Sequence, residues 1–293
     1  MTFFKNIICG MIIGIANIIP GVSGGTFAVI LNVYDQLIGA ISGFRKNWKK
    51  SLALLIPVAL GAGIGILLFA NLIGICLEKF PMVTNFFFIG LIVGSCPLIF
   101  RKATEQKFKP VSMIPFLITL AIMILIALFA PSSDTSAVTR ALTVPGFFML
   151  MLYSAIAAAG MIIPGISGSM LMMIFGCYMT VLTAIKEMNI LLLIPVAIGV
   201  LIGILGGAKL INLVLKKFPQ MTYFAILGLV IGSLAVLFKN AGMVFSLQTV
   251  FAVLFLILGM VIALIFGSER FQNIFRKDNE PSLEKTDESK RLA

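Results

Sequence analysis

The chain has 293 residues, of which 60% are hydrophobic and only 11% charged, with a formal net charge of +11 and a mean hydropathy of +1.13. Soluble domains carry about a quarter charged residues, so a water-soluble globular protein is excluded and an all-α polytopic membrane protein is expected. Histidine, the commonest general base and metal ligand, is absent. Cys9, Cys76, Cys96 and Cys177 lack C-x-x-C spacing, so no metal site, disulfide framework or cofactor is expected.

In chain order, the first element is an apolar segment at 4–43, interrupted by IIPGVSGG at 18–25. Lys5 precedes a run that leads into this break and not into an A-x-A cleavage site, so the N-terminus is expected to remain in the mature protein. Uninterrupted spans follow at about 51–77, 83–100 and 112–130. An external connector at 132–145 leads to a second interrupted segment, 146–185, which carries IIPGISGS at 162–169. Spans at 190–215, 220–238 and 244–267 complete the series, and the polar residues 268–293 read as a cytoplasmic tail.

The second series copies the first. A shift of 144 residues superposes Pro20 on Pro164, Ser23 on Ser167 and Tyr34 on Tyr178. A shift of 138 superposes Pro57, Gly61 and Gly65 on Pro195, Gly199 and Gly203, and Lys79-Phe80-Pro81 on Lys217-Phe218-Pro219. Gly90, Gly94 and Ser95 fall on Gly228, Gly232 and Ser233 by the same shift. The expected domains are therefore membrane repeat 1 (1–131) and membrane repeat 2 (146–267).

Loop charge sets the expected topology. If each interrupted segment returns to its own side, seventeen of the 22 Lys and Arg residues share one face, that of both termini. By the positive-inside rule that face is cytoplasmic, and the basic balance reflects topology and not nucleic-acid binding. Three further crossings per module then insert the second copy upside down, as an inverted-topology repeat. Residues 4–19 reach only about 24 Å as a helix, which favours re-entrant hairpins; two short full crossings give the same loop sidedness.

The repeated phrase carries the candidate chemistry. Proline stops the first arm, and Gly21 and Gly165 permit the reversal. Ser23 and Ser167 then stand at N-cap positions, before Gly24-Gly25-Thr26 and Gly168-Ser169-Met170. The unpaired N–H groups of such a helix start, with the helix dipole, favour an anion, phosphate in particular. The candidate substrate site is Asn17, Pro20, Gly21, Ser23, Gly24, Gly25, Thr26, Pro164, Gly165, Ser167, Gly168 and Ser169. The bland alternative is that both turns only reverse the chain.

Lys209 lies two helical turns before Lys216, either as a counter-charge for an anionic substrate or as a side chain snorkelling to the surface. Asp35 is a candidate for coupling to protons or sodium, or else sits near the cytoplasmic end of its arm. With no imidazole to activate Ser23, enzyme chemistry is not expected.

The paired ANIIPGVSGGTFAVILNVYDQLI (16–38) and GMIIPGISGSMLMMIFGCYMTVL (160–182), with the KFP and G-x-x-x-GS elements that follow, resemble the bacterial polyprenyl-phosphate (undecaprenyl-phosphate) transporter family. The resemblance covers nearly the whole chain except the tail. It implies a multi-pass protein of the bacterial cell membrane that returns the lipid carrier undecaprenyl phosphate from the outer to the cytoplasmic leaflet. It further implies that 18–25 and 162–169 line the translocation site. An ion-coupled transporter of a small soluble anion is the alternative; a membrane phosphatase acting on the lipid is a third.

Overall fold

The computed structural model describes residues 2–18, 22–105, 107–129, 142–242 and 247–268. Among them the regular structure is entirely helical, as the composition requires. The first half contributes α1 (Thr2–Ile18), α2 (Gly24–Ile30), α3 (Tyr34–Ser42), α4 (Trp48–Lys79), α5 (Pro81–Ala103) and, after a 3-10 turn at Pro110–Ser112, α6 (Met113–Phe129). The second half contributes α7 (Val144–Ile162), α8 (Gly168–Ile174), α9 (Tyr178–Lys186), α10 (Ile190–Lys217), α11 (Pro219–Ala241) and α12 (Leu247–Gly267). The two series match element by element.

Seven of the described helices, α4–α7 and α10–α12, are long and apolar enough to cross a bilayer. Six of these are the expected uninterrupted spans, and the other is α7, the first arm of the second interrupted segment. Its 19 residues reach about 28 Å, whereas the 17 of α1 reach about 26 Å. Side chains such as Leu67, Leu128 and Phe129 stand exposed on the outer faces, as lipid-facing residues do.

The sequence reading treats 24–43 and 168–185 each as one arm; the structure divides both. α2 and α3 meet at 119°, and α8 and α9 at 116°. The breaks fall at equivalent positions, where Asn32 (φ 56°) and Gly176 (φ 66°) adopt the left-handed conformation. Asn and Gly tolerate that conformation best. Asp35 thereby lies in the first turn of α3.

The repeated glycines are where helices approach most closely. A Cβ on Gly61 or Gly65 of α4 would strike the α1 backbone, and one on Gly199 or Gly203 of α10 would strike the α7 backbone. Gly90 and Gly94 of α5 admit α12 in the same way, while Gly228 and Gly232 of α11 admit α6. Small residues at these crossings let van der Waals packing hold helices together where no hydrophobic effect operates. The third uninterrupted spans of the two halves are therefore exchanged: α6 packs on α11, and α12 on α5. α5 and α11 lie against each other at the centre, with Phe86 edge-on to Phe238 and Phe100 edge-on to Phe224.

The K-F-P element is a helix corner. Phe80 (φ −133°, ψ 53°) ends α4 and caps α5, which starts on Pro81; Phe218 (φ −137°, ψ 60°) does the same between α10 and Pro219. Proline suits the first helical position because its missing N–H would be unpaired there.

Candidate functional site

The site begins with Ser23. Its extended backbone (φ −112°, ψ 133°) caps α2, and its hydroxyl oxygen accepts from the N–H of Gly25 at 3.2 Å. Asn17, at the end of α1, turns its Oδ1 to the N–H of Gly24 at 3.1 Å. The N–H of Thr26 donates to the Ser23 carbonyl at 3.0 Å. The first turn of α2 is therefore occupied by its own chain. The sequence treats both helix starts as open anion sites; for α2, Asn17 and Ser23 hold the donors.

The second copy differs. Ser167 also occupies the N-cap position of α8 but makes no capping bond; its hydroxyl meets that of Ser169 at 2.9 Å. The position matching Asn17 is Met161, which offers no comparable acceptor. Gly165 turns the chain with φ +92°, and a Cβ there would lie 2.7 Å from the Leu229 carbonyl carbon of α11.

The two turns meet. The Gly165 N–H donates to Thr26 Oγ1 at 2.9 Å, and the Ser23 hydroxyl donates to the Ile163 carbonyl at 3.4 Å. Gly25 leaves room for this approach, since a Cβ there would sit 2.9 Å from the Ile162 carbonyl oxygen and 3.2 Å from the Pro164 nitrogen. Pro164, Ser167 and Gly168 are buried at the same junction. Pro20 and Gly21, expected to form the first turn, lie outside the described residues.

Beside the junction is a cavity of about 600 Å³, bounded by α1–α3 on one side and α7–α10 on the other. Asn17, Gly24, Gly25, Gly168 and Ser169, from the two helix starts, are part of its lining. Most of the remaining lining is aliphatic, including Ile13, Leu37, Ile38, Val181, Leu182 and Val200. On one side the cavity is closed by α3 packing on α10, with Asn212 Nδ2 donating to Ser42 Oγ at 2.7 Å. The corresponding helices α9 and α4 make no comparable contact.

Two expected residues fall elsewhere. Lys209 is exposed on α10 and is not part of the cavity lining. Asp35 forms an ion pair with Lys102 at 3.0 Å and accepts from the Tyr223 hydroxyl at 2.8 Å, while the Lys102 ammonium lies 5.5 Å over the Tyr223 ring. Asp35 therefore joins α3 to the end of α5 and the start of α11. Among the described residues no group of three His, Cys, Asp or Glu side chains is placed to hold a metal.

Residues not foreseen as part of the site are Tyr34 and Tyr178, both lining the cavity. The Tyr34 hydroxyl is buried without a hydrogen-bond partner. Their superposition under the 144-residue shift was the available signal. Lys102 and Tyr223, the partners of Asp35, carry no such signal, because pairing across 67 and 188 positions leaves no local pattern.

Comparison with known proteins places these features in context. A family model described as undecaprenyl phosphate translocase-like matches residues 13–250. A Staphylococcus aureus protein named polyprenyl-phosphate transporter is 32% identical over 276 residues, covering 92% of this chain and 97% of its own length. A Vibrio cholerae protein of the same name is 30% identical over 249 residues, covering 80% of this chain and 77% of its own. No solved structure matches significantly.

Proposed function

The chain belongs to the undecaprenyl phosphate translocase-like family, and from that premise we propose that it moves a polyprenyl phosphate between the leaflets of a bacterial cell membrane. One observation carries the reading: polar groups gather at the junction of two helix starts, beside a cavity whose wall is mostly apolar. An amphiphile with a compact phosphate and a long aliphatic tail is divided in the same way. A phosphate withdrawn from water needs replacement donors, and mid-membrane backbone outside regular helix is tolerated where it lines a cavity.

In this proposal the hydroxyls of Ser23, Ser167 and Ser169 and the start of α8 receive the phosphate. Asn17 and Ser23 act as internal stand-ins for it: their oxygens occupy the Gly24 and Gly25 N–H groups and yield them when the anion arrives. Asn17 can then turn its amide N–H₂ toward the phosphate. Lys209 belongs to the lipid–water boundary. No catalytic step is assigned to any residue. A small hydrated anion would gain nothing from aliphatic walls, which weighs against the soluble-anion reading.

The fuller proposal is alternating exposure by two inverted halves, with both termini cytoplasmic and transport running from the outer to the cytoplasmic leaflet. Contact of α3 with α10 closes one side, and contact of α9 with α4 would close the other. Asp35 is the proposed point of coupling to a proton or sodium gradient. The test is reconstitution in liposomes with a labelled polyprenyl phosphate whose leaflet exposure is followed over time. Faster exchange than in protein-free vesicles, undiminished by excess soluble phosphate, is expected; equal exchange would sink the proposal.

A further inference from the structure

A second cavity, of about 900 Å³, lies behind α3. Leu37, Ile38 and Ile41 face the paired-turn cavity, while Gln36, Gly39 and Ala40 face this one. The helix is thus a partition between two chambers. The walls of the second are the start of α1, the 43–47 loop and the first turns of α4, and no carboxylate lines it.

Its lining combines three features that belong to different solvents. Lys49 and Lys50 stand exposed at its rim. Asn6 and Ser51 line it although they are only 8% and 5% exposed, and neither side chain has a hydrogen-bond partner among the described residues. Phe3 and Ile56, each about half exposed, extend an apolar wall toward the outer face of the bundle. The Asn6 and Ser51 side chains belong to nearly enclosed residues that line the cavity, so beside two lysines they offer donors to a ligand with acceptors. Asp35, the nearest acid in sequence, is engaged by Lys102 and Tyr223, so the positive charge is not neutralised from within.

We propose that this cavity binds the phosphate headgroup of an anionic membrane lipid. Lys49 and Lys50 supply charge, the Asn6 amide and Ser51 hydroxyl donate to phosphate oxygens, and the hydrocarbon chain follows Phe3 and Ile56. Free phosphate would use the donors but not the apolar wall; a lipid uses both. Basic pockets of this kind at a membrane interface recognise anionic headgroups. The site is separate from the paired turns, and its occupancy is read by binding, so its failure and failure of the transport proposal are distinguishable.

Trp48, the sole tryptophan, adjoins Lys49 and its ring lies 5.6 Å from that ammonium, which makes it a native reporter. The full chain is placed in phosphatidylcholine bilayers containing either brominated phosphatidylglycerol or brominated phosphatidylcholine, and quenching of Trp48 is compared. Excess quenching by the anionic lipid is expected. It should weaken about thirtyfold in apparent affinity in Lys49→Gln/Lys50→Gln, the effect of two interfacial basic residues. Asn6→Asp, which keeps size but adds repulsion, and Ser51→Ala should also reduce it, with retained gel-filtration profiles as the folding control. Unbrominated phosphatidate or polyprenyl phosphate should compete, the stronger of these and phosphatidylglycerol identifying the preferred lipid, whereas inorganic phosphate should not. Equal quenching by both brominated lipids overturns the proposal. So does an excess that falls with the lysines but is untouched by Asn6→Asp and Ser51→Ala, since that is surface attraction without a site.

Discussion

The backbone N–H of Gly165 donates to the Thr26 hydroxyl across 2.9 Å, tying the second PG-SG turn to the first turn of α2. This bond joins residues 139 positions apart, in a region where lipid offers no substitute partner. The two copies of the motif thus form one structure.

Thr26→Val tests that bond. Valine keeps the shape and removes the acceptor, leaving a buried N–H unpaired at a cost of about 1–3 kcal/mol. A lowered Tm and reduced lipid exchange are expected, and Thr26→Ser should retain both. A valine variant as stable and active as the parent would show that the turns are held by other contacts.

Gly25→Ala tests their proximity. The added methyl meets the Ile162 carbonyl oxygen at 2.9 Å, and overpacking of this kind costs about 1–3 kcal/mol. Exchange should fall steeply while protein still accumulates in the membrane. Gly63→Ala, where nothing lies within 4 Å, is the matched control and should be neutral or slightly stabilising.

Asp35→Asn separates structure from coupling. Asp35 is half exposed in its ion pair with Lys102, so losing the charge should change stability by no more than about 1 kcal/mol. If Asp35 couples transport, an imposed proton or sodium gradient accelerates the parent and leaves the variant unaffected. Equal acceleration of both removes Asp35 from that role.

Ser42 and Asn212 report the closed side of the cavity. With Cys9, Cys76, Cys96 and Cys177 replaced by alanine, Ser42→Cys/Asn212→Cys should be bridged by a short bifunctional thiol reagent. Bridging should stop exchange, and cleaving the linker should restore it. Full exchange in the bridged protein would mean that α3 and α10 need not separate.

The inverted arrangement has its own measurement. Lys79→Cys and Lys217→Cys occupy the same position in the two K-F-P corners. In right-side-out vesicles a membrane-impermeant maleimide should label the first and spare the second. Labelling of both from the same side would contradict inversion.

Much of this protein was legible in the sequence because the signals are local. Apolar runs of spanning length, the proline and glycine breaks and the K-F-P corners each specify backbone within a few residues. The repeated glycines at 61, 65, 199 and 203 were legible as matched positions of the two copies, but that they mark close helix crossings emerged only from the packing. Asn32 and Gly176 were equally available as break signals, but an apolar arm with one asparagine reads as continuous until the chain is seen to bend.

What the sequence by itself determined is an all-helical membrane protein built from two copies of one module, with a broken segment in each. Only the tertiary structure decided that the α2 donors are held by Asn17 and Ser23, that α3 separates two cavities, and that Asp35 belongs with Lys102 and Tyr223. The physical reason is range. Helix formation and breakage follow from neighbours along the chain, whereas the partner of a polar group in a membrane is whichever helix packing brings within 3 Å or so of it.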